Sequence, residues 1–495
     1  MLRQEANVKR TRRIHLINPK ANSFTTRPMY FNRALYSPLA GLLAVAALIP
    51  PDRYEVILTD ENIERIDFDI KADLVGISAM TSYAKRGYEI ADIFRSRGIP
   101  VIMGGVHPSF LPLEALEHAD AVVVGEAEHV MREVLTDLEQ GDLKGIYKSD
   151  RLHKMTGMAI PRYDLLKSNR YVSKTFIQTS RGCHHACRFC AEHMMFGLRF
   201  RFRPIDEVIR EIESCGERVV ALNDADFFGT PKRAAKLMRA LKGRGIRWQA
   251  GVNSRNALND ELLEHAAESG CYMLSIGFES ISRESLRNVH KVQNRPETFQ
   301  ALVEKMHSYG ILVFGLFMFG FDQDDATVFE ETVKHNVTAK YDVCAYSVFT
   351  PYPGTLVWYD LLKEDRVVSY DWDKYDQGHI VYQPLNLTPR QLREGHKLAY
   401  RKFYALPSVL RRFPTNSGRS KFYWTTYNLF FRKGEVTGRD LNDAIAAPTE
   451  VPKFSAEPPL MPERADWREL VLGNTQVVQP DLLQTPASRR SMGLG

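Results

Sequence analysis

Between Thr175 and Asp360 the chain repeats one pattern six times: a short apolar run ending in small or polar residues, then an amphipathic stretch. The runs are TFIQ, RVVALND, IRWQAGVNS, YMLSIGFES, ILVFGLFMFG and VCAYSVF. Helical stretches such as IDEVIREIESCG and NDELLEHAAESG separate them, the second with Asn259 as its expected N-cap and Gly270 at its end. Continuous apolar runs alternating with helices predict a parallel sheet covered by helices. Six steps are too few to close the usual eight-stranded barrel. A partial (β/α)6 barrel is therefore expected over 175–360, its active face at the carboxyl ends of the strands.

A second set of such runs precedes it: RIHLIN, YEVILTD, ADLVGISAM, IPVIMGG and DAVVVGE. With the intervening helices they predict a doubly wound, Rossmann-like α/β domain over 1–148, whose ligand lies beyond the strand carboxyl ends. Residues 149–174 read as a linker and 361–436 as a mainly helical C-terminal region. Residues 437–495, rich in proline and polar side chains, are expected to be partly disordered. The net charge of +6 is spread along the chain, which argues against a nucleic-acid partner. The longest apolar runs, LAGLLAVAALI and ILVFGLFMFGF, fall short of the roughly 20 residues of a membrane span. No apolar segment follows the basic N-terminus as in a secretory signal, so a cytoplasmic protein is expected.

Three of the six cysteines lie within TSRGCHHACRFC, directly after the first barrel strand. Cys183, Cys187 and Cys190 are too close to cross-link distant parts of the chain, and sparse cysteine usage suggests a reducing compartment, where clustered thiols bind metal. Zinc completed by His184, His185 or His193 is one reading. An iron–sulfur cubane on three cysteines, leaving one iron open, is the other.

The spacing C-x-x-x-C-x-x-C with Phe189 before the last cysteine, placed after the first strand of a partial barrel, resembles the radical SAM superfamily. The resemblance implies a [4Fe-4S] cluster on Cys183, Cys187 and Cys190, with its open iron chelating S-adenosylmethionine. Phe189, Asp224 in LNDADFF, Arg255 in GVNSR and Glu279 in SIGFES match positions near that cofactor; capping of the next helix explains Asp224 equally well. GLFMFGF and PYPGT match later family landmarks and serve equally as packing and turn. The preceding domain resembles that of the cobalamin-binding radical SAM class, through Ser78 in SAM, the pair Gly104 and Gly105, and Gly125 and Glu126 in VVVGEAE. These are expected to contact cobalamin. The loop after the first strand reads NPKANSF and holds no histidine, so no protein ligand to cobalt is assigned, and it stays open whether the domain holds cobalamin at all. His107 in GGVHP reads as a hydrogen-bonding residue.

The resemblance implies methylation of an unactivated carbon through methylcobalamin and a 5′-deoxyadenosyl radical, with a flavodoxin or ferredoxin as electron donor. The alternative is a non-methylating radical reaction, such as oxidative cyclisation of a tetrapyrrole. A non-catalytic sensor stands as a third class, and it would not cleave S-adenosylmethionine. The substrate is a small molecule, a lipid or a tetrapyrrole. The aromatic stretch KFYWTTYNLFF hints at an apolar substrate or a peripheral membrane contact, or else at core packing.

Overall fold

The computed structural model describes residues 12–20, 40–167, 171, 175–414 and 418–436. The C-terminal 437–495 lies outside them, as does most of the loop that follows the first strand.

Two six-stranded parallel sheets organise the chain. The first comprises β1 (Arg12–Asn18), β2 (Tyr54–Asp60), β3 (Leu74–Ser78), β4 (Val101–Gly104), β5 (Ala121–Val124) and β6 (Ile146–Lys148), ordered β2-β1-β3-β4-β5-β6. The five apolar runs supply β1 to β5. The sixth strand, IYK, is too short and polar to stand out in the sequence, and it extends the sheet into the segment just before the expected linker. Its neighbour β5 is buried along its whole length, as strands covered on both faces must be. The order reverses around β1 and β3, which places the crevice of this sheet beside the carboxyl end of β3.

The second sheet begins with β7 (Phe176–Ile177) and, after an antiparallel ribbon of β8 (Ser180–Arg181) and β9 (Arg201–Phe202), continues with β10 (Val219–Leu222), β11 (Arg247–Val252), β12 (Cys271–Glu279), β13 (Leu312–Phe319) and β14 (Val343–Val348). Its order is β14-β13-β12-β11-β10-β7, so each strand pairs with its predecessor and the barrel stays open. Helices cover the outside with one apolar stripe each; in Ile205–Cys215, Val208, Ile209 and Ile212 are buried. Asn259 caps its helix by accepting from the Leu262 amide, as its position predicts.

The two sheets meet at one buried cluster: Ile77 and Val124 of the first lie in it with Phe349, just past β14, and with Trp358 and Trp372 further on, and Met318 of β13 packs against it. PYPGT is part of this join: a Cβ at Gly354 (φ +83°) would lie 2.2 Å from the Phe110 ring of the first domain. The aromatic stretch forms the helix Lys421–Val436. Trp424 packs with Tyr272, Met273 and Leu312, at the amino ends of β12 and β13 and so opposite the active face. Phe422 and Leu429 of the same helix are exposed.

Candidate active site

The cysteine loop departs from β7 and is closed by the β8–β9 ribbon. Gly182 makes this closure feasible: its φ is +83°, and a Cβ there would stand 2.4 Å from the Arg199 carbonyl oxygen. The Cys183 amide donates to the Gly197 carbonyl, and a turn runs from Cys190 N to Cys187 O (3.0 Å). Asp224, just past β10, holds the start of the loop: its carboxylate accepts from Thr179 N (2.7 Å), Thr179 Oγ1 (2.5 Å) and Ser180 N (2.9 Å). Burial nevertheless raises its pKa, these hydrogen bonds opposing. Asp226 accepts from Asn253 N and Nδ2 at 3.0 and 2.7 Å, and the His185 Nε2 lies 3.6 Å away. On the far side, Arg188 N donates to Val289 O and Val357 N to Arg188 O, both at 3.1 Å.

The three thiols lie close enough to influence one another. Burial, reinforced by the Asp226 carboxylate and the other two sulfurs, pushes Cys183 up to about 12. Burial takes Cys190 to about 11 and also raises Cys187. Thiols held protonated in this way ionise on binding a cation, which releases their protons. Among the described residues no group of three His, Cys, Asp or Glu side chains is disposed to hold a single ion. In a cubane each thiolate takes a different iron, so three cysteines around such a cluster need not converge on one point. The donor set fits that cluster.

Lys291 and Gln293, which the sequence reading passed over, complete this wall. Gln293 Nε2 lies 3.9 Å from the Cys187 sulfur. Lys291 Nζ lies 2.9 Å from Glu279 Oε1 and 5.7 Å from the centre of the Phe189 ring. Burial alone would lower the Lys291 pKa, but Glu279, Cys187 and Cys190 outweigh it and the net shift is upward. Glu279 occupies the left-handed region (φ +63°), where the β12–β13 register slips. Non-glycine residues held there cluster at functional sites. Nothing in HKVQN marks Lys291 beforehand; its proximity to the carboxyl end of β12 is the only signal. Arg255 is exposed just past β11.

At the first sheet, Ser78 and Gly104 are register partners on β3 and β4. Gly105 has φ +96°, and a Cβ there would meet Ala79 O at 2.8 Å and Ser78 Oγ at 2.9 Å. Gly125 has φ +82° with nothing within 4 Å of its Cβ direction. The open space beside Gly125 fits a bulky group such as cobalamin, whereas Gly105 is packed directly against the end of β3. His107 is fully buried and pairs with Glu114 at 3.2 Å, the hydrogen-bonding role expected of it. Glu126 is different: its carboxylate accepts from Arg181, Arg201 and the His153 amide.

Residues 177–335 match the radical SAM superfamily, and residues 29–135 match the B12 binding domain. The chain is 32% identical over 409 residues to the bacteriochlorophyllide d C-12(1)-methyltransferase of Chlorobaculum tepidum, covering 80% of this chain and 88% of that protein. It is 24% identical to the anaerobic magnesium-protoporphyrin IX monomethyl ester cyclase of Rubrivivax gelatinosus, covering 76% and 74%. Its fold is similar to that of TsrM, a radical S-adenosylmethionine methyltransferase from Kitasatospora setae with cobalamin and a [4Fe-4S] cluster bound, at TM-score 0.59 and 17% identity, covering 86% of this chain and 100% of TsrM. With both domain matches in the order the sheets appear, and a relative of this identity along most of its length, the chain belongs to the cobalamin-binding radical SAM family, enzymes that use a [4Fe-4S] cluster, S-adenosylmethionine and cobalamin.

Proposed function

We propose that this enzyme methylates a carbon of a tetrapyrrole-class substrate. The observation that carries the reading is the match to a tetrapyrrole methyltransferase, at 32% identity against 24% for the cyclase. When bound, the cluster with S-adenosylmethionine supplies a carbon-centred radical and cobalamin supplies the methyl group. The balance is one substrate C–H converted to C–CH3. Two S-adenosylmethionine are consumed, one leaving as S-adenosylhomocysteine and the other as methionine and 5′-deoxyadenosine. Two electrons come from a donor of the flavodoxin or ferredoxin kind.

The protein's part is placement. Cys183, Cys187 and Cys190 hold the cluster, and Asp224 ties down the loop that carries them. Glu279 and Lys291 present both signs of charge at one point, which suits the ammonium and carboxylate of an amino-acid zwitterion. Phe189, wedged between Lys291 and Phe349, excludes water from the same corner, and Arg255 stands at the open mouth. Ser78, Gly104, Gly105 and Gly125 line the cobalamin rim.

All six cysteines are free, which supports a cytoplasmic placement; no described helix is long and apolar enough to cross a membrane. A peripheral membrane contact belongs to the same reading. Leu406, Leu410, Phe413, Phe422 and Leu429 are exposed among the basic Arg411 and Lys421, a composition that suits an anionic lipid surface. Sedimentation with anionic vesicles tests it.

The enzyme reaction is tested by anaerobic incubation with methyl-labelled S-adenosylmethionine, a reductant and a chlorophyllide-type tetrapyrrole. The expected product carries one labelled methyl group per turnover. A ring-closed product without that methyl mass would replace this reading with the cyclase reaction.

A further inference from the structure

Glu126 and Arg181 belong to different domains and meet where the carboxyl ends of the two sheets face one another. Their side chains are 2% and 8% exposed. Arg181 spends its whole guanidinium there: Nη1 donates to Glu126 Oε1 (2.8 Å), Nη2 to Glu128 Oε1 (2.7 Å) and Nε to Gln178 Oε1 (2.8 Å). Arg201, the β9 partner of Arg181, donates through Nη1 to Glu126 Oε2 (3.0 Å) and His153 O (2.5 Å), and through Nη2 to Phe196 O (3.1 Å). The His153 amide donates to Glu126 Oε2 at 2.6 Å. Two arginines thus face Glu126 and Glu128, and Glu192 lies near enough to feel both.

What distinguishes this group from an ordinary interdomain ion pair is where its two ends lead. Towards the first sheet, Glu126 follows Gly125, whose amide donates to Ser109 Oγ (3.0 Å), and that hydroxyl donates to the Gly105 carbonyl (2.6 Å). Towards the barrel, Arg181 is followed by Gly182, at φ +83° with carbonyl oxygens where a Cβ would stand, and then by Cys183. Continuous bonded contacts therefore run from the glycine pair of the first sheet to the first cysteine of the loop. The guanidinium is a planar fork on two carboxylates, and Gly105 and Gly182 sit where neighbouring backbone leaves no room for a Cβ.

We propose that Arg181 and Glu126 form a positioning strut that sets the distance between the cobalamin rim and the cluster loop. This rests on the family assignment of both cofactors, not on the identity of the substrate. Buried ion pairs contribute little net stability, because desolvation offsets their attraction; what this pair can contribute is a fixed register. The strut touches neither reacting group. Its effect is on the separation across which a methyl group must pass.

The test uses the full chain loaded with both cofactors, as Arg181→Lys, which keeps the charge and loses the fork, and as Glu128→Gln, which keeps an acceptor for Nη2 but removes one carboxylate charge. Iron and cobalt per chain are measured first. The magnetic coupling between the reduced cluster and cob(II)alamin is then read by pulsed electron paramagnetic resonance, which needs no substrate. Expected are parental metal contents, a changed or broadened inter-spin distance in Arg181→Lys and a smaller change in Glu128→Gln. Methyl product is expected to fall by up to about 100-fold, the effect of an ångström-scale misplacement, while 5′-deoxyadenosine formation falls far less. A parental inter-spin distance in both variants overturns the strut. So does a proportional loss of iron, cobalt and thermal stability, which would make the pair merely structural. A parental chain that loads no cobalamin overturns the strut together with the cofactor assignment, whereas absence of methylation with a changed distance counts only against the proposed reaction.

Discussion

Lys291 Nζ stands 2.9 Å from Glu279 Oε1 beside the cysteine loop, so the cluster wall carries a cation and an anion in contact. The cluster's reduced state is the more negative one, so the cation stabilises it and the anion opposes it. Lys291→Met is expected to lower the cluster's reduction potential and Glu279→Gln to raise it. For one unit charge at an effective dielectric of about 20, the size is on the order of 100 mV. Redox titration followed by electron paramagnetic resonance, without S-adenosylmethionine, reads both. Shifts of the same sign in the two variants would remove this account.

The loop cysteines and the scattered ones should separate cleanly in iron content. Replacing Cys183, Cys187 or Cys190 by Ser is expected to reduce about four irons per chain to a small fraction after anaerobic reconstitution. Cys271 and Cys344 lie in buried strands of the barrel sheet, and Cys215 ends a helix. Their Ser variants are expected to retain the iron, with Cys271→Ser and Cys344→Ser losing about 1–2 kcal/mol of stability for a buried hydroxyl. Iron lost in all six would mean the loop is not the ligand set.

The strands and the cysteine loop were legible in the sequence because both are local signals: an apolar run, or a spacing of a few residues. Asp224 and Glu126 were legible only in part, and Lys291 not at all. Asp224 and Glu126 were placed at the cofactors by resemblance, yet Asp224 holds Thr179 and Ser180, and Glu126 holds an arginine 55 positions away. A charged side chain's partner is set by which strand ends come together, and no periodicity encodes that. Lys291 escaped for the same reason, since only the return of its loop to the end of β12 brings it to the cysteines. The strand IYK escaped because three residues are too few to display a pattern.

Gly105 and Gly125 should fail for different reasons. At Gly105 a Cβ collides with Ala79 O and Ser78 Oγ at a φ of +96°, so Gly105→Ala is expected to destabilise the first domain by about 1–3 kcal/mol. At Gly125 the space ahead is open, so Gly125→Leu pays mainly the left-handed backbone strain, about 1–2 kcal/mol. Its side chain then projects into the rim, and cobalt per chain is expected to fall while iron stays at the parental level. Cobalt unchanged in Gly125→Leu would place the cobalamin elsewhere.

His15 gives the first domain an acid sensitivity of its own. The ring is fully buried in β1, 2.8 Å from Thr59 Oγ1, and burial lowers its pKa from 6.5 to about 4, with Asp67 opposing. The unfolded chain takes up this proton below about pH 6.5 and the folded domain resists until about pH 4. Folded stability is therefore full above pH 6.5 and is lost as the pH falls between those values. The loss approaches about 3 kcal/mol at one pKa unit per 1.4 kcal/mol. His15→Gln removes the titration. Hydrogen exchange of the β1 amides, compared between parent and variant at matched pH, is expected to converge towards pH 4 from a parental advantage at pH 7. Curves that run parallel across that range would assign the acid sensitivity to other groups.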